Sequence, residues 1–247
     1  MIDKHALAIV SLAGSSLDVL GALYLAYDLL GGEHGPLRAV TRGVTYGTIF
    51  GIGYGLGLGP VFGLINGAAH GITLAWEFSR ASRHEGQGFW QDAFMSAIRG
   101  CGFGIGLAFL FGPVFGTAFG VMSTVGQIVA YRAGVRPTVD YAPGMRPRIT
   151  LRQFLGAVNR TVGYLAVAYV SAVLAGQRAR ALPVGLKTGL VIGIVTAVAV
   201  TCTPFIEWTA DHLPARRMGV VSVTFILVGF SLQSVQYWVE LLNVSVQ

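Results

Sequence analysis

Glycine recurs at every fourth position over a long stretch of the chain. The series runs through Gly43, Gly47, Gly51, Gly55, Gly59, Gly63, Gly67 and Gly71, and Ala75 continues it. In water, glycine disfavours a helix by about 1 kcal/mol per residue relative to alanine. In a membrane, small residues at this spacing allow two helix backbones to approach closely. The series therefore predicts lipid-embedded helices that pack through their backbones.

The composition agrees with a membrane protein. Hydrophobic residues make up 53% of the 247 residues and charged residues only 11%. Apolar runs longer than the roughly 18 residues that mark a membrane-spanning helix fill most of the chain. The longest polar stretch, 132–153, contains three prolines and predicts a loop rather than a soluble domain. We expect one all-α membrane domain over residues 1–247, located in the plasma (cytoplasmic) membrane.

Three segments of the chain resemble one another, at roughly 37–80, 94–133 and 155–208. Each has an arginine near the start of its first helix: Arg42, Arg99 and Arg160. The sequence Gly-Pro-Val-Phe-Gly at 59–63 recurs at 112–116, and Pro183 takes the equivalent place in the third segment. There the proline follows a charged turn at 176–180, which cannot lie in hydrocarbon. Each segment is therefore expected to be a helical hairpin that turns near its proline.

Two topologies are compatible with these segments. Hairpins give eight helices and place every lysine and arginine except Lys4, Arg178, Arg180 and Lys187 on one face. Long kinked helices in the first two segments give six helices and a nearly even distribution of these charges. Because basic residues concentrate on the cytoplasmic side, we favour eight crossings, with both termini outside. Counted from Gly100, the second hairpin is short, so its helices could instead be re-entrant.

The small residues are expected to act in helix packing rather than in chemistry. The alternative is that their exposed backbone lines a pore. Eight short helices need not bury every glycine row within one chain, so we also expect a homo-oligomer or a membrane-protein partner. The packing positions are Gly51, Gly55, Gly59, Gly63, Gly67, Gly71, Gly104, Gly112, Gly116 and Gly120.

Polar residues inside apolar segments are the candidates for a functional site, because they are costly in hydrocarbon and usually face the bundle interior. Three helical stripes stand out: Ser11, Ser15 and Asp18; Asn66, His70, Thr73 and Glu77; Gln233, Gln236 and Glu240. In one interpretation Asp18, Asn66, His70 and Glu77 line a hydrated path for a cation or a proton. In the other, the stripes form interhelical hydrogen bonds that fix the packing.

Enzyme signatures are missing from the chain. It has no phosphate-binding loop with lysine and serine, no H-E-x-x-H, no CxxC pair and no Gly-x-Ser-x-Gly elbow. We therefore expect no enzyme, no cofactor and no metal site. The basic loop 132–152 is expected to attract anionic lipid. Its charge comes without an aromatic stacking motif, so nucleic acid is not an expected partner.

Two hypotheses for function remain. The first is a structural or accessory component of a membrane complex, built on glycine-rich helices. The second is a channel or secondary transporter for a cation or proton, in which the repeated hairpins surround a path.

Overall fold

The computed structural model describes residues 4–30, 37–81, 88–133 and 151–242. These residues form eight α-helices and no strand, which confirms the expected all-α fold. A single 3₁₀ turn, Arg178–Arg180, precedes the seventh helix. The helices are α1 (Lys4–Leu29), α2 (Arg38–Leu58), α3 (Pro60–Ala81), α4 (Phe89–Phe111), α5 (Pro113–Arg132), α6 (Leu151–Leu174), α7 (Ala181–His212) and α8 (Ala215–Leu241).

Six of the helices are long and apolar enough to cross a membrane: α1, α4, α5, α6, α7 and α8. The remaining two, α2 and α3, have 21 and 22 residues, or about 32 Å at 1.5 Å per residue. Their length would suffice for crossing, but their many glycines lower the hydropathy. Because α2 and α3 are consecutive and antiparallel, the orientation of the other helices is the same whether or not this pair crosses.

The antiparallel packing of α2 and α3 follows from their glycines. A Cβ on Gly43 would lie 2.7 Å from the carbonyl oxygen of Gly71, whereas a Cβ on Gly55 would meet Gly63 and Pro60. Contacts that run in opposite directions along the two helices exclude one long kinked helix here. The turn is Gly59, whose φ of 104° suits a residue without a Cβ, and Pro60 starts α3.

The next two helix pairs have the same arrangement. A Cβ on Gly120 would lie 2.8 Å from the carbonyl oxygen of Gly100, and α4 and α5 are joined at Gly112, with φ of 94°. In α7, Gly185 faces Tyr169 and Gly193 faces Thr161 of α6. The re-entrant alternative for α4 depended on a length counted from Gly100. The helix begins at Phe89 and has 23 residues, enough to cross a membrane.

A side chain connects two of the turns. The Nε2 of Gln177, in the turn between α6 and α7, donates a hydrogen bond of 2.9 Å to the carbonyl oxygen of Phe111 at the end of α4. This carbonyl is one of the last in its helix and has no partner within the helix. The turns after α4 and after α6 therefore lie side by side at the same end of the bundle.

The first and last described helices pack against each other. Gly14 and Gly21 of α1 lie against Gly229 and Ser222 of α8, and the reversed order again shows antiparallel helices. Elsewhere, the centre of the bundle is aromatic. Edge-to-face contacts join Phe103 to Tyr54, Phe119 and Tyr164 with ring centroids 5.7–5.9 Å apart, a geometry that aromatic pairs favour.

This arrangement of turns can be tested by labelling. In a background without Cys101 and Cys202, single cysteines at Val61, Val114 and Arg178 should react with an impermeant reagent from the same side of the membrane. A cysteine at Arg132 should react from the opposite side. Val61, Val114 and Arg178 are exposed and lie at the turn ends of their helices. Reaction of Val114 and Arg178 from opposite sides would contradict the side-by-side turns.

Candidate functional site

The polar stripe of α3 faces neighbouring helices. Asn66 is fully buried, and its Nδ2 donates hydrogen bonds to the carbonyl oxygens of Phe62 (3.0 Å) and Gly102 (3.3 Å). Gly102 belongs to α4, so this amide connects the first hairpin to the second. The other amide atom, Oδ1, is buried without a hydrogen-bond partner.

His70 is enclosed by aromatic rings. It stacks on Phe50 with ring centroids 4.1 Å apart and contacts the edges of Tyr54 and Phe103 at 5.9 and 5.5 Å. Its Nδ1 lies 2.8 Å from the carbonyl oxygen of Asn66. Because a carbonyl can only accept, Nδ1 carries the proton in this hydrogen bond.

A buried polar cluster centres on Arg99 of α4. Its Nη2 lies 2.7 Å from Oε1 of Glu77, its Nη1 lies 2.7 Å from the hydroxyl of Tyr131, and its Nε lies 2.9 Å from Oγ1 of Thr73. Arg99 is 5% exposed. All three guanidinium nitrogens therefore have partners, and the carboxylate balances the buried charge.

Asp18 lies in a different part of the bundle. One oxygen of its carboxylate, Oδ2, accepts a hydrogen bond from Nε2 of Gln233 on α8, and the other, Oδ1, is buried beside Gly229 without a hydrogen-bond partner. The contacts of Asn66, His70 and Glu77 are instead with α2 and α4. The four residues expected to line one path thus belong to two separate sets of contacts.

A second buried ion pair was not expected from the sequence. Arg42 of α2 donates to Asp211 of α7 at 2.8 Å, and Tyr27 of α1 donates to the other carboxylate oxygen at 2.5 Å. The Arg42 guanidinium also lies 5.1 Å from the centre of the Phe78 ring, within cation–π range. Asp211 stands near the end of α7, where a carboxylate is expected at the membrane surface, yet its side chain is only 9% exposed.

A cavity of about 260 Å³ lies among α2 to α7, beside His70 and Arg99. Its polar lining includes Gln127, Tyr131, Asn159, Arg160 and Tyr164, and its apolar lining includes Phe50, Leu74, Met122 and Val167. Two buried atoms on this lining, Oε1 of Gln127 and Nε of Arg160, have no hydrogen-bond partner. From the sequence, Arg160 is notable only as the arginine near the start of the third similar segment, and nothing there predicts a cavity.

The glycine rows are occupied by contacts within the chain. Gly51, Gly63 and Gly67 lie between α2 and α3, and Gly104, Gly116 and Gly120 lie between α4 and α5. Gly55 and Gly71 pack in the first of these interfaces as well. By contrast, a Cβ on Gly59 or Gly112 would meet nothing within 4 Å, so these two serve the turns. An apolar groove of about 440 Å³ runs along the α2–α3 interface and is also lined by Leu12 and Ser16 of α1.

Some sequence-based expectations fall outside the described residues. Most of the basic loop 132–152 does, as does the side chain of Glu240. Within the described ranges, no group of three or more His, Cys, Asp or Glu residues is placed to hold a metal ion.

The fold defines an all-helical protein with six helices suited to crossing a membrane. Comparison of the chain with protein-family models, with curated proteins and with solved structures gave no match.

Proposed function

We propose that this protein is a structural or accessory component of a membrane complex. The observation that carries the proposal is the use of three carboxylates as ties between helices. Glu77 joins α3 to α4, Asp211 joins α7 to α1 and α2, and Asp18 joins α1 to α8. A carboxylate that is held by a partner is poorly suited to pass a cation along a path, but it fixes helix positions well.

The diverged hairpin repeats and their glycine packing support the same proposal. Three hairpins of one design, closed by backbone contacts, give a rigid body in a single domain over residues 1–247. Because the glycine rows are used within the chain, a homo-oligomer or a partner protein would bind another surface. We place the complex in the plasma (cytoplasmic) membrane. The face expected to hold every lysine and arginine except Lys4, Arg178, Arg180 and Lys187 would lie in the cytoplasm, with the basic loop 132–152 on anionic lipid.

Transport is a second candidate, supported by the cavity beside His70. The described residues that line it include two arginines and no carboxylate. This charge fits an anion better than the cation or proton that the sequence suggested. Neither proposal calls for an enzyme, a cofactor or nucleic acid.

The two candidates differ in the expected effect of Asp18→Asn. A scaffold should leave proton, potassium and chloride fluxes in proteoliposomes equal to those of empty liposomes. Neither Asp18→Asn nor Arg160→Gln, the variant that tests an anion path through the cavity, should change these fluxes. Asn can keep a hydrogen bond to Gln233, so we expect a stability loss of about 1 kcal/mol, measured by thermal unfolding in detergent. Wild-type flux that disappears in Asp18→Asn would replace the scaffold by a transporter.

The scaffold proposal also predicts an assembly. Mild cross-linking in native membranes followed by native electrophoresis should show a species larger than the 26.1 kDa chain. Migration as a monomer under every cross-linking condition would count against the proposal.

A further inference from the structure

Among the residues that the structure describes, the lining of the cavity near Arg160 contains two arginines and no carboxylate. The other arginine is Arg99, but Glu77 balances Arg99. Among the described residues no carboxylate forms an ion pair with Arg160, and its Nε is buried without a hydrogen-bond partner. An arginine inside hydrocarbon costs several kcal/mol unless a counter-charge or water offsets it. Packing alone gives no reason to keep such a residue, so the arrangement points to an anion.

The cavity lining contains a second polar group without a hydrogen-bond partner. Gln127 lies on α5, one turn before Tyr131, and its Oε1 is buried without a donor. Buried amide oxygens are nearly always hydrogen-bonded in folded proteins. A ligand that carries both an anionic oxygen and a hydroxyl would satisfy Arg160 and Gln127 together. Phosphate monoesters in their singly protonated form have both groups.

The remaining walls favour an apolar body on the ligand. Phe50, Leu74, Met122, Val167 and Val200 line the cavity, and apolar surface that a ligand covers contributes about 25 cal/mol per Å². A bare inorganic ion would leave these walls without contacts. The combination of one cation, one acceptor and apolar walls is therefore suited to an amphiphile with an oxyanion at one end.

Arg160 lies near one end of the apolar part of α6. The residue lies about 9 Å along the helix axis from Phe154, where the apolar span of α6 begins. Its Nη1 lies beside Gly156, one turn nearer to that end. The guanidinium is thus directed toward the start of α6, at the same end of the bundle as Arg132 at the end of α5.

We propose that this cavity binds the phosphate group of an anionic amphiphile, with Arg160 as its cation and Gln127 as the acceptor for its hydroxyl. This assignment goes beyond a scaffold role and does not depend on it, because it concerns a ligand and not a partner protein. The phosphate could come from a membrane lipid or from a soluble phosphate, and the two sources can be separated experimentally.

The test is a binding titration of the purified full chain in a neutral detergent. The probes are dihexanoyl phosphatidic acid, dihexanoyl phosphatidylcholine and inorganic phosphate. Wild type should bind phosphatidic acid, and Arg160→Gln should weaken this binding about tenfold or more, the loss expected for a hydrogen bond to a charged group. Arg217→Gln is the matched control, since Arg217 is exposed at the start of α8; its affinity should stay within about twofold of wild type.

A second measurement separates a binding arginine from a structural one. Without ligand, Arg160→Gln should unfold at the same or a higher temperature than wild type, because the variant loses an unbalanced buried charge. Arg160→Lys should fold and bind with intermediate affinity, and Gln127→Leu should weaken binding without loss of stability. A large drop in the ligand-free unfolding temperature of Arg160→Gln would assign the residue to packing and overturn the proposal.

The probes also identify the source of the phosphate. Competition by inorganic phosphate at comparable concentration would show that the phosphate group alone is recognised and would favour a soluble ligand. Binding of phosphatidic acid without such competition would favour a lipid. Equal affinity of Arg160→Gln and Arg217→Gln for phosphatidic acid, or equal wild-type affinity for phosphatidic acid and phosphatidylcholine, would overturn the site.

Discussion

Replacing Glu77 by glutamine should destabilise the protein by roughly 3–5 kcal/mol, the range measured when one partner of a buried ion pair is removed. The substitution keeps the size of the side chain but leaves the Arg99 guanidinium without a counter-charge at a site where only 5% of the residue is exposed. The remaining partners of Arg99, Thr73 and Tyr131, are neutral hydroxyls. Reversible unfolding in mixed detergent micelles would measure the loss.

A double-mutant cycle provides the control for this prediction. Glu77→Gln with Arg99→Leu removes both charges, so the double variant should be at least as stable as Glu77→Gln alone. Additive losses in the two single variants would mean that the 2.7 Å pair does not couple α3 to α4.

The second large effect is expected at Gly63. A Cβ at this position would lie 2.7 Å from both the Cα and the N of Gly55, closer than non-bonded atoms can approach. The obstacle is backbone, which cannot rotate away, so α2 and α3 must separate. We expect Gly63→Ala to cost about 1–3 kcal/mol and Gly63→Leu more, as measured by thermal unfolding in detergent.

Gly219 gives a matched control for Gly63. It also lies within a helix, α8, but a Cβ there would meet nothing within 4 Å. Gly219→Leu should therefore unfold at a temperature close to that of wild type.

The variants at Gly63 and Gly219 also distinguish two uses of the glycine row. If Gly63→Leu changed the size of the assembly but not the stability of the chain, the row would join separate chains rather than α2 and α3.

The turns of the fold and the helix pairs that they join could be predicted from local sequence, but the contacts between one hairpin and the next could not. A glycine followed by proline ends one helix and starts the next, which places the reversals at Gly59 and Gly112 from residue chemistry alone. Helical spacing likewise indicates that Asn66, His70 and Glu77 share one face. Spacing within a helix contains no information about which other helix that face meets. The pairing of Glu77 with Arg99 therefore came only from the structure.

The candidate site illustrates the same limit. The sequence groups Asp18 with His70 because both side chains can ionise. A shared ability to ionise does not show that two residues are close in space, and Asp18 contacts α8. Asp211 and Arg42 are 169 residues apart in sequence, and no periodic pattern connects them. One feature of the sequence singles out Arg160: it is the third of the arginines at matching places in the three similar segments. Of these three arginines, only Arg160 has no carboxylate partner among the described residues.

The pairing of α1 with α8 has a consequence for biosynthesis. Three hairpins join helices that are neighbours in sequence, so each can close soon after its second helix leaves the ribosome. The side of α1 that holds Gly14, Asp18 and Gly21 must wait until α8 has been made. During this interval a carboxylate inside the membrane lacks its final partner, a state that membrane chaperones or a partner subunit would have to shield. The α1–α8 contact is thus the non-local step in the assembly of the bundle.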